Sequence, residues 1–147
     1  MRIAKIDTTL RNYFHHWINF TLPFHGLGKT EKKVLAEFLY YRYLLKQEVQ
    51  TQKLLETLLF DPDTKAKICE QIGIPKSRIH LIISQFRKDG VVVGKDINPR
   101  FIPDLKVKDK EFVLAFKFNI TGNEEGVYSK KSRKKTSKDS GKGEDTV

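Results

Sequence analysis

The sequence predicts a mainly helical α+β domain that ends in a two-stranded β-hairpin and is followed by a basic, disordered tail. Three observations carry this expectation. Apolar residues recur at i, i+3 and i+4 spacing in five segments between Leu10 and Lys88. A β-branched run, Val91–Val93, follows at once, and a second β-prone run stands at Phe112–Phe118. From Thr121 onward Gly, Ser, Lys and Asp dominate and large apolar residues nearly vanish, so nothing offsets the entropy cost of ordering that stretch. The 147 residues suffice for one core plus a tail. The boundaries read as a helical extension over 1–28, a domain over 29–120 and the tail over 121–147.

The first element is an aromatic-rich helix, because Leu10, Tyr13, Phe14, Trp17, Ile18 and Leu22 keep helical spacing before Pro23, Gly26 and Gly28 end the pattern. Two roles are open for its Tyr13, Phe14, Trp17 and Ile18 face. It packs on the core, or it docks a partner, either a second copy of the chain or a virion protein. Thr30 reads as the N-cap of a long helix over 30–46 with Glu31 in its first turn. Leu54, Leu55, Leu58 and Leu59 mark a helix over 52–60. Asp61 suits an N-cap and Pro62 a first helical position, giving a helix over 62–72 that Gly73 ends. The last helix, over 76–89, follows from Ile79, Ile82, Ile83 and Phe86, with basic side chains in its final turn and Gly90 as its stop.

The hairpin is expected to pair Val91–Val93 with Phe112–Phe118. The intervening loop holds Pro99 and Pro103 around Arg100-Phe101-Ile102. No internal repeat of solenoid type is present.

The stretch Lys65 to Ser84 carries the functional signal. Cys69 is a small residue where two helices approach closely, Gly73 is free to take a positive φ at a sharp turn, Ile74 fills the corner, and Ile79 and Ile82 face inward. With the valine run directly behind it, this pattern resembles the helix-turn-helix of the winged-helix superfamily. Pro75 departs from the Ser or Thr often found there and weakens the cap of the second helix. The resemblance implies a recognition helix starting at Lys76, a hairpin wing beside it, and double-stranded DNA as partner. It also implies a regulator of transcription or replication type.

On the outward face of that helix stand Lys76, Ser77, Arg78, His80, Leu81, Ser84, Gln85 and Lys88. Lys76 can donate to guanine, Ser77 and Gln85 can exchange hydrogen bonds with base edges, and Leu81 can touch a thymine methyl. Arg78 and Lys88 suit phosphates. The implied wing loop would add Lys95, Arg100, Lys106, Lys108 and Lys110, with Phe101 and Ile102 folding back on the core. In the tail, Lys130, Lys131, Arg133, Lys134 and Lys135 stand without an acidic residue between them and suit phosphate contacts that carry no sequence preference. The whole chain has 28 Lys and Arg against 18 Asp and Glu, a formal charge of +10 that favours polyanions.

The region from Phe24 to Phe118 is also similar to small conserved proteins of tailed bacteriophages, crAss-like ones included, through Leu35-Ala36, Leu59-Phe60 and Ile97-Asn98-Pro99-Arg100-Phe101-Ile102-Pro103. That similarity implies an alternative: a virion or genome-packaging component in which the same fold meets protein or portal-bound DNA.

Other readings fail on the residues. Gly26-Leu27-Gly28-Lys29-Thr30 ends like a phosphate-binding loop, but Pro23 stands where the first glycine belongs and no strand precedes it. His15, His16, His25 and His80 lack Cys or carboxylate partners at metal-ligand spacing, so no metal or other cofactor is expected. No nucleophile, base and orienting residue assemble, so the chain does not read as an enzyme. Cys69 is the only cysteine, and no apolar run suits a signal peptide or a membrane span. The cytoplasm, of a host cell or followed by a virion if phage-encoded, is the expected location.

Overall fold

Thr9, Thr51 and Asp61 decide where three of the helices begin. The computed structural model describes residues 2–122. Helix α1 spans Leu10–Phe20, α2 Lys29–Glu48, α3 Gln52–Leu59, α4 Pro62–Ile72 and α5 Lys76–Lys88. The Thr9 hydroxyl accepts from the Asn12 N–H at 3.2 Å, the Thr51 hydroxyl from the Leu54 N–H at 3.2 Å, and the Asp61 carboxylate from the Thr64 N–H at 3.0 Å. Each bond satisfies a donor that the helix leaves orphaned, an effect worth about 1 kcal/mol. Helix α2 starts differently from the sequence expectation: Gly28 is its N-cap, without a side-chain bond, and Thr30 lies inside the first turn. The Glu31 carboxylate folds back against Gly28, on the positive end of the helix.

Helix α2 is the centre of the domain. Its Val34, Leu35, Phe38 and Leu39 are buried and pack with Phe14 and Ile18 of α1, Leu59 of α3, Ile68 of α4 and Phe86 of α5. Burying one such side chain stabilises by about 1.5–3 kcal/mol, so the shared inward faces of the helices determine how they pack. Phe38 meets Phe60, just beyond α3, with ring centroids 4.8 Å apart.

This packing settles the role of the aromatic helix. Phe14 and Ile18 are 2% and 1% exposed, and Tyr13 and Trp17 are half-buried against the same cluster. The Trp17 indole donates to the Phe101 carbonyl at 2.8 Å. The docking surface expected as one option is corrected for Phe14 and Ile18, since presenting either to a partner would require α1 to leave the core; Tyr13 and Trp17 keep part of their surface exposed.

The hairpin is also corrected. Strand β1, Val92–Val93, pairs antiparallel with β2, Asp96–Ile97, in the register Val92 with Ile97 and Val93 with Asp96. The turn is Gly94-Lys95, with Gly94 at φ +65° and no positive φ at Lys95. A glycine at the first of two central positions gives the backbone twist that a two-residue hairpin needs. Phe112–Phe118 does not form the second strand. That segment belongs to a separate unit beginning at Lys110, which holds neither helix nor strand among its described residues. The result is a mainly helical α+β architecture of five helices and one two-stranded hairpin among the described residues. No described helix is long and apolar enough to cross a membrane.

Candidate nucleic-acid interface

The α4–α5 pair is built as the sequence pattern requires. Gly73 takes the left-handed conformation at φ +83°, and the N–H groups of Gly73 and Ile74 both donate to the Cys69 carbonyl, at 2.8 and 3.1 Å. These bonds close the end of α4 in one turn. Cys69 is buried at that junction and Ile74 packs against the core beside it. Helix α5 begins after Pro75 without a side-chain cap, the weakness expected of that residue.

Ile79, Ile82, Ile83 and Phe86 are at most 4% exposed and fix α5 by its inner face. At about 100° of rotation per residue, Ser77, Leu81, Ser84 and Lys88 then lie on the opposite side. Arg78, His80 and Gln85 flank them, Lys76 stands at the start of the helix nearer the side of Ile83, and all eight side chains are exposed. Leu81 sits in the middle of this face and is 67% exposed. Helix α5 carries Lys76, Arg78, Arg87 and Lys88 and no carboxylate. The nearest acidic group is Asp89 at its C-cap, which accepts from the Gln85 amide at 3.0 Å. Arg87 is turned toward the core side, 5.8 Å from the Phe60 ring centre.

The hairpin follows α5 directly, since the Val91 N–H donates to the Phe86 carbonyl at 2.8 Å. Asp96 anchors it from the other side. Its carboxylate receives two bonds from Arg42 of α2, at 2.7 and 3.0 Å, and one from Gln52 of α3 at 2.7 Å. Burial alone would raise the Asp96 pKa. The hydrogen bonds from Arg42, the Ile97 N–H and Gln52, together with the Arg42 charge, outweigh burial and hold the carboxyl below its ordinary value. At the free end Lys95 and Val93 are exposed, Val93 by 59%.

The remaining cations expected in the wing lie elsewhere. Arg100 falls in a single 3-10 turn, Pro99–Phe101, after the hairpin. Its guanidinium donates to the Phe24 carbonyl at 3.2 Å and lies 4.8 Å from the Phe101 ring centre, so it is tied to the α1 end of the protein and corrected as a wing contact. Phe101 is 8% exposed, folded back on the core as expected, with Ile102 half-buried beside it. Lys106 and Lys108 are exposed on the segment beyond that turn and are not in the hairpin, while Lys110 begins the second unit. The tail cations Lys130, Lys131, Arg133, Lys134 and Lys135 lie outside the described residues.

The sequence reading missed the true tip of the hairpin. Its signal was present as Val93-Gly94-Lys95-Asp96, a Gly-X pair of the kind two-residue hairpins use. It also missed the buried polar groups. Glu37 is 0% exposed within the core, with His15 Nε2 at 2.7 Å and Arg11 Nε at 3.4 Å. His25 is also structural: its Nδ1 accepts from the Leu27 N–H at 3.0 Å, which leaves Nε2 to donate to the Ile18 carbonyl at 2.9 Å. His80 alone of the four histidines is exposed, on the outward face of α5, while His15, His16 and His25 are half-buried. Comparison with known proteins returns no match: no family model, no curated protein and no solved structure matches this chain.

Proposed function

We propose that α4, α5 and the hairpin act as a winged helix-turn-helix that binds double-stranded DNA, with α5 in the major groove and Lys95 on the adjacent backbone. The observation that carries this reading is the outward face of α5. It joins cations without carboxylates, short hydrogen-bonding side chains and an apolar residue, Leu81, at 67% exposure. A single exposed leucine is ordinary on a protein surface; Leu81 supports the reading through its place among cations and hydrogen-bonding side chains, where a groove offers the thymine methyl as its partner. Lys76 and Ser77, at the start of the helix, are the base-reading pair in this arrangement, with Ser84 and Gln85 further along. Arg78, Lys88 and Lys95 hold phosphates and fix the register.

The test is a titration of the full chain against random duplex DNA at two salt concentrations. Each phosphate contact contributes a slope of roughly −0.9 to log affinity against log salt, so these three cations alone give about −3. Lys88→Ala should weaken all duplexes alike and make the slope shallower by about one contact. Lys76→Ala should reduce the preference among sequences. Absence of binding at ~50 mM salt, where such contacts are strongest, overturns the reading.

A further inference from the structure

Beyond the Thr9 cap, the residues ahead of α1 do no packing work within the fold. Residues 2–9 form neither helix nor strand and every one of them is exposed, Ile3 by 73% and Ile6 by 49%. Their main-chain bonding to the rest of the protein is the cap, where the Tyr13 N–H donates to the Thr9 carbonyl at 2.8 Å. Lys5 lies 3.9 Å from Asp7, but both side chains are at least 86% exposed, and a pair so open to water holds its partners weakly.

The root of this segment is fixed, and its place is informative. Arg11, in the first turn of α1, donates to the Gln71 amide oxygen at 3.2 Å and to the Tyr41 hydroxyl at 3.2 Å, with its guanidinium 4.7 Å from the Tyr40 ring centre. Gln71 belongs to the last turn of α4, immediately before the Gly73 turn that leads into Lys76. The five residue steps from Gln71 to Lys76 span at most about 18 Å even if fully extended, and the seven from Thr9 back to Arg2 reach up to about 25 Å. The root of the segment is therefore tied to the last turn of α4, the helix that leads through the Gly73 turn into Lys76.

We propose that residues 2–9 form a second DNA-contacting arm, which lays Arg2 and Lys5 on the phosphates bordering the groove that receives α5. The inference rests on the reading of α5 above and adds a contact to it. The segment carries Arg2 and Lys5 against one carboxylate, Asp7; ordering it on a polyanion costs chain entropy, which the counterions released by the two cationic contacts offset.

The experiment compares the full chain with Arg2→Ala/Lys5→Ala and with Lys76→Ala/Arg78→Ala, on one random duplex across a salt series, with thermal unfolding measured on each. The arm variant should unfold at the wild-type temperature, bind about tenfold more weakly at low salt, and show a slope shallower by about 2, from two contacts at roughly 0.9 each. If it keeps wild-type affinity and slope while the α5 variant weakens, the arm is overturned and the α5 reading stands. If the arm variant weakens and the α5 variant does not, the α5 reading falls, and with it the placement of the arm beside that helix. If the unaltered chain binds no duplex, both are overturned.

Discussion

Replacing Asp96 with Asn tests how the hairpin is held. The carboxylate receives four hydrogen bonds, two from Arg42, one from Gln52 and one from the Ile97 N–H. The side chains of Arg42 and Asp96 are 14% and 16% exposed, so the pair is largely removed from water. In Asp96→Asn the amide oxygen still accepts from one side of the guanidinium. The amide NH2 group, however, faces donors where an acceptor stood, and the Arg42 charge loses its counter-charge. Leaving a buried charge uncompensated costs about 3–5 kcal/mol. The retained acceptor and the residual access to water place this case near the lower figure, about 3 kcal/mol. With a urea m-value of about 1.5 kcal/mol/M, the unfolding midpoint should fall by roughly 2 M.

The same site fixes a pH dependence. The folded-state pKa of Asp96 is held below its ordinary value, so in the unfolded chain, with a pKa near ~3.9, the group takes up its proton first as acid is added. Its contribution is complete above about pH 5 and is lost as pH falls through the folded-state value. Wild type and Asp96→Asn should therefore differ most at neutral pH and converge toward acid. A loss under ~1 kcal/mol, against the 3–5 of an uncompensated charge, or two pH profiles that stay parallel down to pH 2, would refute the assignment of Asp96 as the anchor.

Two further substitutions probe the core. Glu37 is 0% exposed, whereas Arg11 and His15 are 32% and 28% exposed, so the two sides of this pair should respond unequally. Arg11→Met removes one of the two partners of the buried Glu37 carboxylate, leaving His15, and should cost about 3 kcal/mol, the low end for a broken buried pair. Glu37→Gln leaves Arg11 and His15, both with access to water, and should cost nearer 1 kcal/mol, the value of an ordinary lost hydrogen bond; urea unfolding in the reverse order would contradict this. Trp17→Ala should cost about 3 kcal/mol, as for other packed aromatics, and the half-buried Trp17 should be quenched less readily in the folded wild type than in the unfolded chain; equal quenching in both would show that α1 leaves the core.

How far the fold was legible depends on the range of the interaction that fixes each part. Caps act over three residues and helical faces over one turn, and both are written locally. Asp61 with Thr64 and the Gly73 turn with Cys69 are where the pattern placed them. The hairpin departs from the sequence expectation because Phe112–Phe118 has the stronger β propensity, while loop length decides the pairing. Closing a loop roughly nine times longer than Gly94-Lys95 costs about 2 kcal/mol more in chain entropy. Two short strands with a favourable glycine at the turn need no distant partner. The Arg42–Asp96 and His15–Glu37 contacts join residues 54 and 22 positions apart, and no local pattern announces such pairs.

The candidate site was more legible than these contacts for a physical reason. Burial dictates the inward face of α5, so Ile79, Ile82, Ile83 and Phe86 report only on the core they fill. Folding places almost no demand on the opposite face, and what stands there was free to be chosen for something else. Stability would favour carboxylates in the first turn of α5, where the helix dipole rewards them, yet Lys76 and Arg78 occupy that turn. Solubility would favour a polar residue at the centre of the face, yet Leu81 is there. Both choices run against the helix's own interest, in charge at its start and in apolar exposure at its middle. A phosphate-lined groove with methyl groups on its floor answers both at once, which is why this face carries the functional proposal.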